Sequence, residues 1–202
     1  MLISGIVSFA VATTKAVATL GLVVEGLKAL GNILTVIGKA LGLIKPETQV
    51  DELGDKALQA EEAGITPDQF ETYSAYVKAI DGFQVDPEKS KQTSLEQKVE
   101  KGIELTIGIA KEKFPEISVE TFSKLGALIE KYPNVFTEDS MLVLTQKMEM
   151  DSDCVENVAG YLDRTEKNQD RLEGAEQILT EMIKVAVPGT DDDAARRQLY
   201  NM

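Results

Sequence analysis

Residues 2–46, LISGIVSFAVATTKAVATLGLVVEGLKALGNILTVIGKALGLIKP, contain no proline before Pro46. Lys45-Pro46 supplies a stop, because the residue preceding proline avoids the helical region. At 100° per residue Thr14, Glu25, Lys28, Asn32, Thr35 and Lys39 fall in one narrow sector, with Lys15 and Thr19 outside it. A helix with so thin a polar stripe must bury most of its girth. Continuous, it would be about 65 Å long, so a bend or hairpin is expected near Gly21, Gly26 or Gly31. Small residues recur at helical spacing: Ser4, Ser8, Ala12 and Ala16 make a ladder, and Gly38-Lys-Ala-Leu-Gly42 is a GxxxG. Both spacings let helix backbones approach closely, which makes them the expected association face.

Working outward, the rest of the chain is of different character. Residues 1–46 carry four lysines against Glu25, a charge of +3; with 21 basic and 34 acidic residues in all, residues 47–202 carry 17 − 33 = −16. A basic, apolar segment (1–46) thus precedes an acidic body (47–189) and a short C-terminal helix or tail (190–202). The net charge of −13 repels phosphate backbones, so no nucleic-acid partner is expected.

The body reads as short amphipathic helices. Val50, Leu53 and Ala57 share a face ahead of Gly64, a C-terminal cap. Starts at Thr66, Ser118 and Thr137 each pair a capping hydroxyl with a hydrophobic staple: Ile65 and Phe70, Ile117 and Phe122, Phe136 and Met141. Ser94 opens a helix lined by Leu95, Val99, Ile103 and Ile107; others use Val155, Val158 and Leu162, and then Leu172, Ala175, Leu179, Met182 and Ala186. Asp191 to Arg197 form a short capped helix. Gly102, Gly108 and Gly126 within predicted helices mark close crossings. No run alternates as a strand; Thr106–Ile109 and Met141–Leu144 are short candidates inside helical patterns. The expected fold class is all-α: a long glycine- and alanine-rich hydrophobic N-terminal helix or hairpin, then a multi-helix acidic body.

Chemistry is thinly represented. The chain has no histidine and one cysteine, which excludes His-based nucleophilic catalysis, histidine-ligated metals and disulfides. Asp151, Asp153 and Glu156 lack the glycine and glutamate spacing of an EF-hand, and they and Asp191–Asp193 read as helix starts. Cys154 sits among these acids with no base beside it. No phosphate loop, dinucleotide fingerprint or nucleophile elbow occurs. No enzyme activity, cofactor or metal is expected.

For the head, a transmembrane helix over residues 1–24 balances roughly −3 to −7 kcal/mol from eleven large aliphatic or Phe side chains against about +3 for Lys15. Insertion is marginal. A signal peptide would need a basic start and an unbroken apolar core. A central core helix of the same domain is a further reading, against which its length stands. In its glycine and alanine spacing the head resembles segments of phage tape-measure proteins, injection components and helical pore-forming proteins; the likeness is compositional, spans about a fifth of the chain and implies no site residue.

The expectation is a non-enzymatic assembly or interaction protein whose head packs against copies of itself or another helical protein. The alternatives are membrane insertion of the head as an anchor or pore element, and a structural part of a phage-like machine. It is expected to be cytoplasmic as synthesised, with leaderless export or membrane association as further routes.

Overall fold

A computed structural model of the chain describes residues 3–18 and 24–202, with the side chains of all but Val17, Ala18 and Glu25 among them. Every regular element among the described residues is helical. In chain order they are α1 (Ile3–Ala18), α2 (Val24–Ala40), α3 (Val50–Glu62), α4 (Tyr73–Asp81), α5 (Pro87–Gln92), α6 (Leu95–Lys113), α7 (Val119–Lys131), α8 (Glu138–Met148), α9 (Cys154–Leu162), α10 (Gln169–Ala186) and α11 (Asp192–Tyr200). They form two compact units, Met1–Val119 and Glu120–Met202.

In the first unit, α6 is the central element, with α1, α2, α3 and α4 packed on it. Its sequence explains why. Ile103, Leu105, Ile107 and Ile109 are two residues apart, so on a helix they cover opposite faces, and all four are buried. The change of composition at Pro46 is therefore not a packing boundary, since α1 and α2 lie on α6 in the same unit as α3. The N-terminal segment comprises two described helices, and Gly26 and Gly31 lie inside the second; Gly21 is outside the described residues.

Glycines set the crossings. A Cβ on Gly54 of α3 would lie 2.7 Å from the amide nitrogen of Gly102 and 2.8 Å from the carbonyl carbon of Lys98, and nearer still to that carbonyl's oxygen. One on Gly102 would meet the carbonyl of Val50 in the same way. Backbone thus lies on backbone where α3 crosses α6. The Val50 side chain also fills the space at Gly31 of α2, where a Cβ would stand 2.7 Å from its Cγ2. Gly108 receives the Tyr73 ring, with Cδ1 2.8 Å from where its Cβ would be. Gly102 and Gly108 thus serve the crossings expected of them.

The second unit gathers α8, α9 and α11 on α10, with Ala175, Leu179, Met182 and Ile183 of α10 buried. Phe122, Leu125 and Ile129 of α7 are buried as their spacing requires. The staple at α8 is intact: Phe136 and Met141 are fully buried, and Thr137 Oγ1 accepts from the Ser140 amide at 3.2 Å. Asp191 caps α11 through the Ala194 amide at 2.7 Å, and Ala195 and Leu199 seat that helix on α10.

Two local expectations fail. Thr66 opens only a 3-10 turn, Pro67–Gln69, because Phe70 turns extended and Thr72, accepting from Ala75 N at 3.1 Å, starts α4 instead. Leu95 stays exposed, since it lies in the first turn of α6, whose buried residues begin at Val99.

Candidate functional site

The N-terminal helix has an inner and an outer face. Ile6, Ala10, Thr13 and Thr14 are buried, and the two hydroxyls donate within the helix, to Phe9 O at 2.8 Å and Ala10 O at 2.9 Å, so neither is left unpaired. Ser4, Ser8, Ala12 and Lys15 are exposed, and Ala16 is half-buried. The small-residue ladder is thus turned away from α6. Beneath the helix, Lys111 of α6 is buried; its ammonium lies 4.4 Å from the centre of the Phe9 ring and donates to the carbonyls of Pro115 and Ile117, both at 2.6 Å. Burial lowers the pKa of Lys111.

The polar stripe does not form one open face. Thr14 is buried under α1, and Thr35 is fully buried, donating to Asn32 O at 2.6 Å. Lys28 and Asn32 turn to the start of α3: Lys28 pairs with Asp51 at 2.8 Å, while Asn32 donates to Gln49 Oε1 and accepts from the Val50 amide, both at 2.8 Å. Asn32 thereby satisfies an N-terminal amide that the helix itself leaves free. Lys39 is half-buried near the end of α2, and the Glu25 side chain is outside the described residues.

Gly38 and Gly42 do not join the ladder. Gly38 is buried against Ile44 and Ile109, and Gly42 lies beyond the end of α2 at φ +66°, a conformation that suits glycine. The pair turns the chain back on α2, with Leu43 and Ile44 amides both donating to Gly38 O.

A buried ionic cluster adjoins α1. Lys101 bridges Glu61 and Glu104, each at 2.7 Å, with its side chain 12% exposed. Burial alone would lower its pKa, but the charges and hydrogen bonds of Glu104 and Glu61 outweigh this and raise it. Tyr76 donates to Glu61 at 3.2 Å, and the buried Tyr73 hydroxyl has no hydrogen-bond partner among the described residues. Burial, reinforced by nearby Glu104 and Glu61, raises both tyrosine pKa values. An open cleft of about 490 Å³ lies beside the cluster, walled by Val11, Thr14 and Lys15 of α1, Leu58 of α3, and Lys101 and Glu104 of α6. Sequence reasoning missed this cluster, because its only local signal is the i,i+3 pair Lys101 and Glu104.

A second cluster ties α5 to α3 and α6. Ser90 donates to Asp55, and Lys98 reaches Ser90 Oγ at 2.8 Å and Asp55 at 3.1 Å. Burial opposes ionisation of Asp55, but hydrogen bonds from Ser90, Gln59 and Lys98 outweigh it and lower its pKa. A serine beside a lysine suggests nucleophile and base. Here one carboxylate takes both the hydroxyl proton and the ammonium, so the trio acts as a clamp.

In the second unit Cys154 is fully buried, and burial, followed by Asp151 and its acidic neighbours, pushes its thiol up to about 12. Asp151 Oδ1 accepts from the Asp153 amide at 2.9 Å, while Glu156 bonds Thr121 at 2.9 Å and pairs with Lys124 at 3.5 Å. Among the described residues no group of three or more acids or cysteines is arranged to hold a metal ion, and no described helix is long and apolar enough to cross a membrane. No family model matches the chain, and no curated protein or solved structure matches it.

Proposed function

We propose that this chain is a non-enzymatic helical assembly protein, whose glycine- and alanine-rich N-terminal segment associates with a second copy or with a partner helix. The observation that carries the reading is the outer face of α1: Ser4, Ser8 and Ala12 are exposed on a helix already seated by its opposite face. Such a face admits a second helix at short range along Ser4, Ser8 and Ala12, where the side chains are small, with Lys15 at its C-terminal end. The acidic body, −16 over residues 47–202, keeps the assembly in solution and limits non-specific contact. Work by association also accords with buried polar groups that are committed to one another, as in the Glu61–Lys101–Glu104 and Asp55–Ser90–Lys98 clusters.

Light scattering tests the reading on the full chain. The native protein should form a defined oligomer, and Ser8→Leu with Ala12→Leu should reduce it towards monomer with an unchanged helical spectrum. A clean monomer of the native chain at every concentration, with the double variant indistinguishable, would sink the proposal. A mass that rises only when mild detergent is added would transfer the role of α1 to a bilayer.

A further inference from the structure

The second unit carries a hollow of about 390 Å³ where the end of α9 and the turn after it meet α10 and α11. Leu162 of α9, Leu172 of α10 and Leu199 of α11 give it an apolar wall. Three polar side chains stand around that wall: Tyr161, Arg164 and Tyr200. Tyr161 is half-buried, and Arg164 and Tyr200 are open to solvent. Among the described residues no ion pair engages the Arg164 guanidinium, and no hydrogen bond engages either tyrosine hydroxyl. The three groups are electrostatic neighbours: burial raises the Tyr161 pKa, Glu176 and Tyr200 add to this, and the Arg164 charge pulls against it. The acids nearby are already answered. Glu166, the acid in the lining, accepts from the Lys167 and Asn168 amides at 2.7 and 2.8 Å and faces Arg171 at 3.7 Å. Asp163 pairs with Lys131 at 3.2 Å, and Glu176 with Arg196 at 3.3 Å. The charge left over at this hollow is that of Arg164.

Arg164 also stands where local structure favours glycine. It follows α9 at φ +57°, and the Thr165 and Glu166 amides close the helix end by donating to Gly160 O at 2.8 and 3.1 Å. The other described residues at positive φ, Gly42, Gly64 and Gly189, are glycines, which adopt it without the cost a side chain adds. A cation here answers the carbonyl end of α9, but any position of the last turn would serve that purpose without the positive φ. We propose that this hollow binds a small aryl or alkyl carboxylate, with its two oxygens on the Arg164 guanidinium and the Tyr161 and Tyr200 hydroxyls and its carbon body on Leu162, Leu172 and Leu199. A guanidinium fork matches the two oxygens of a carboxylate, and each phenol has a proton to donate. One unpaired cation selects a monoanion, and an apolar wall with a few convergent polar groups is how small-ligand sites are built. The site shares no residue with α1 and does not depend on the association reading.

The test is an amide-resolved NMR titration of the full chain with 4-phenylbutyrate and with octanoate, at constant ionic strength set by chloride, against 4-phenylbutanamide as the uncharged counterpart. Expected are saturable shifts confined to residues 161–166 and 199–202, with the amide binding at least about tenfold more weakly than the acid. Arg164→Gly separates the ligand's charge partner from the fold, because glycine suits the positive φ: the variant should keep its helical spectrum and melt no lower, yet bind the acid at least about tenfold more weakly. Saturation by 4-phenylbutyrate and not by octanoate narrows the ligand to an aryl acid, and the reverse to an alkyl acid. Shifts that fail to saturate with either acid, that the amide reproduces at equal affinity, or that persist unchanged in Arg164→Gly overturn the proposal.

Discussion

Replacing Gly102 by alanine sets two effects of opposite sign against each other. Alanine removes the conformational freedom of glycine in the middle of α6, a gain of about 0.5–1 kcal/mol. Against it stands the crossing with α3, where the new methyl would lie 2.8 Å from the carbonyl carbon of Val50 and nearer to its oxygen. Both obstacles are backbone, so no side chain can swing aside, and α3 must retreat by about 1 Å. A gap of that size forfeits roughly a quarter to a half of each contact across it, and overpacking of a core costs about 1–3 kcal/mol or more. Since α3 brings Val50, Leu53, Ala57 and Ala60 into the core, the clash falls at the upper end of that range and wins, with a net loss of about 2 kcal/mol. Urea denaturation of the full chain, followed by far-ultraviolet circular dichroism and tyrosine emission, reads this as a lower midpoint. Tyr73 and Tyr76 place an emission signal in the affected unit. Gly174, in α10 with nothing within 4 Å of a built Cβ, is the control: its alanine variant should gain about 0.5–1 kcal/mol. A Gly102→Ala protein as stable as the Gly174→Ala protein would refute the backbone-on-backbone crossing.

Three further outcomes are expected. Asn32→Ala deprives the Val50 amide of its acceptor and should cost about 1–3 kcal/mol in the same assay, with no loss arguing that the amide is otherwise paired. Tyr73, Tyr76 and Lys101 all have raised pKa values in the folded state, so the stability they contribute is complete below about pH 10 and is lost as pH rises above it. Ultraviolet titration should then show two of the five tyrosines ionising only as helicity collapses, whereas five ionising together on a folded chain would contradict the buried cluster. Cys154, with its thiol near 12, should react with a disulfide reagent at pH 8 only in urea; prompt labelling of the folded chain would show the second unit to be open there.

What the sequence made legible is local chemistry. The caps at Ser94, Thr137 and Asp191 hold as read, because a hydroxyl or carboxylate meets an amide three residues on and needs nothing from elsewhere in the chain. Thr66 shows the limit of the same reasoning: its motif is complete, yet Thr72 offers a competing start. The identity of the central helix was less accessible. The segment Thr106–Ile109 attracts attention as a strand because its apolar residues alternate, and alternation on a helix means burial on opposite sides. Long-range partners leave no local trace, so the attachment of Lys28 and Asn32 to the start of α3 was hidden, and the polar stripe looked like an open face. For the candidate site, the ladder at Ser4, Ser8 and Ala12 was visible as spacing, but its exposure depends on which face of α1 meets α6. Gly42 was misplaced in that pattern because its positive φ takes it out of the helix.

Lys111 has a mechanical consequence. Its ammonium grips the carbonyls of Pro115 and Ile117, where the chain leaves the first unit, and also lies against Phe9 of the N-terminal helix. Traction on the chain at its exit is therefore borne in part by the same group that helps hold α1 down. Load applied at Ile117 and the lifting of α1 thus meet at one side chain, although more than a hundred residues separate Phe9 from Ile117 along the chain.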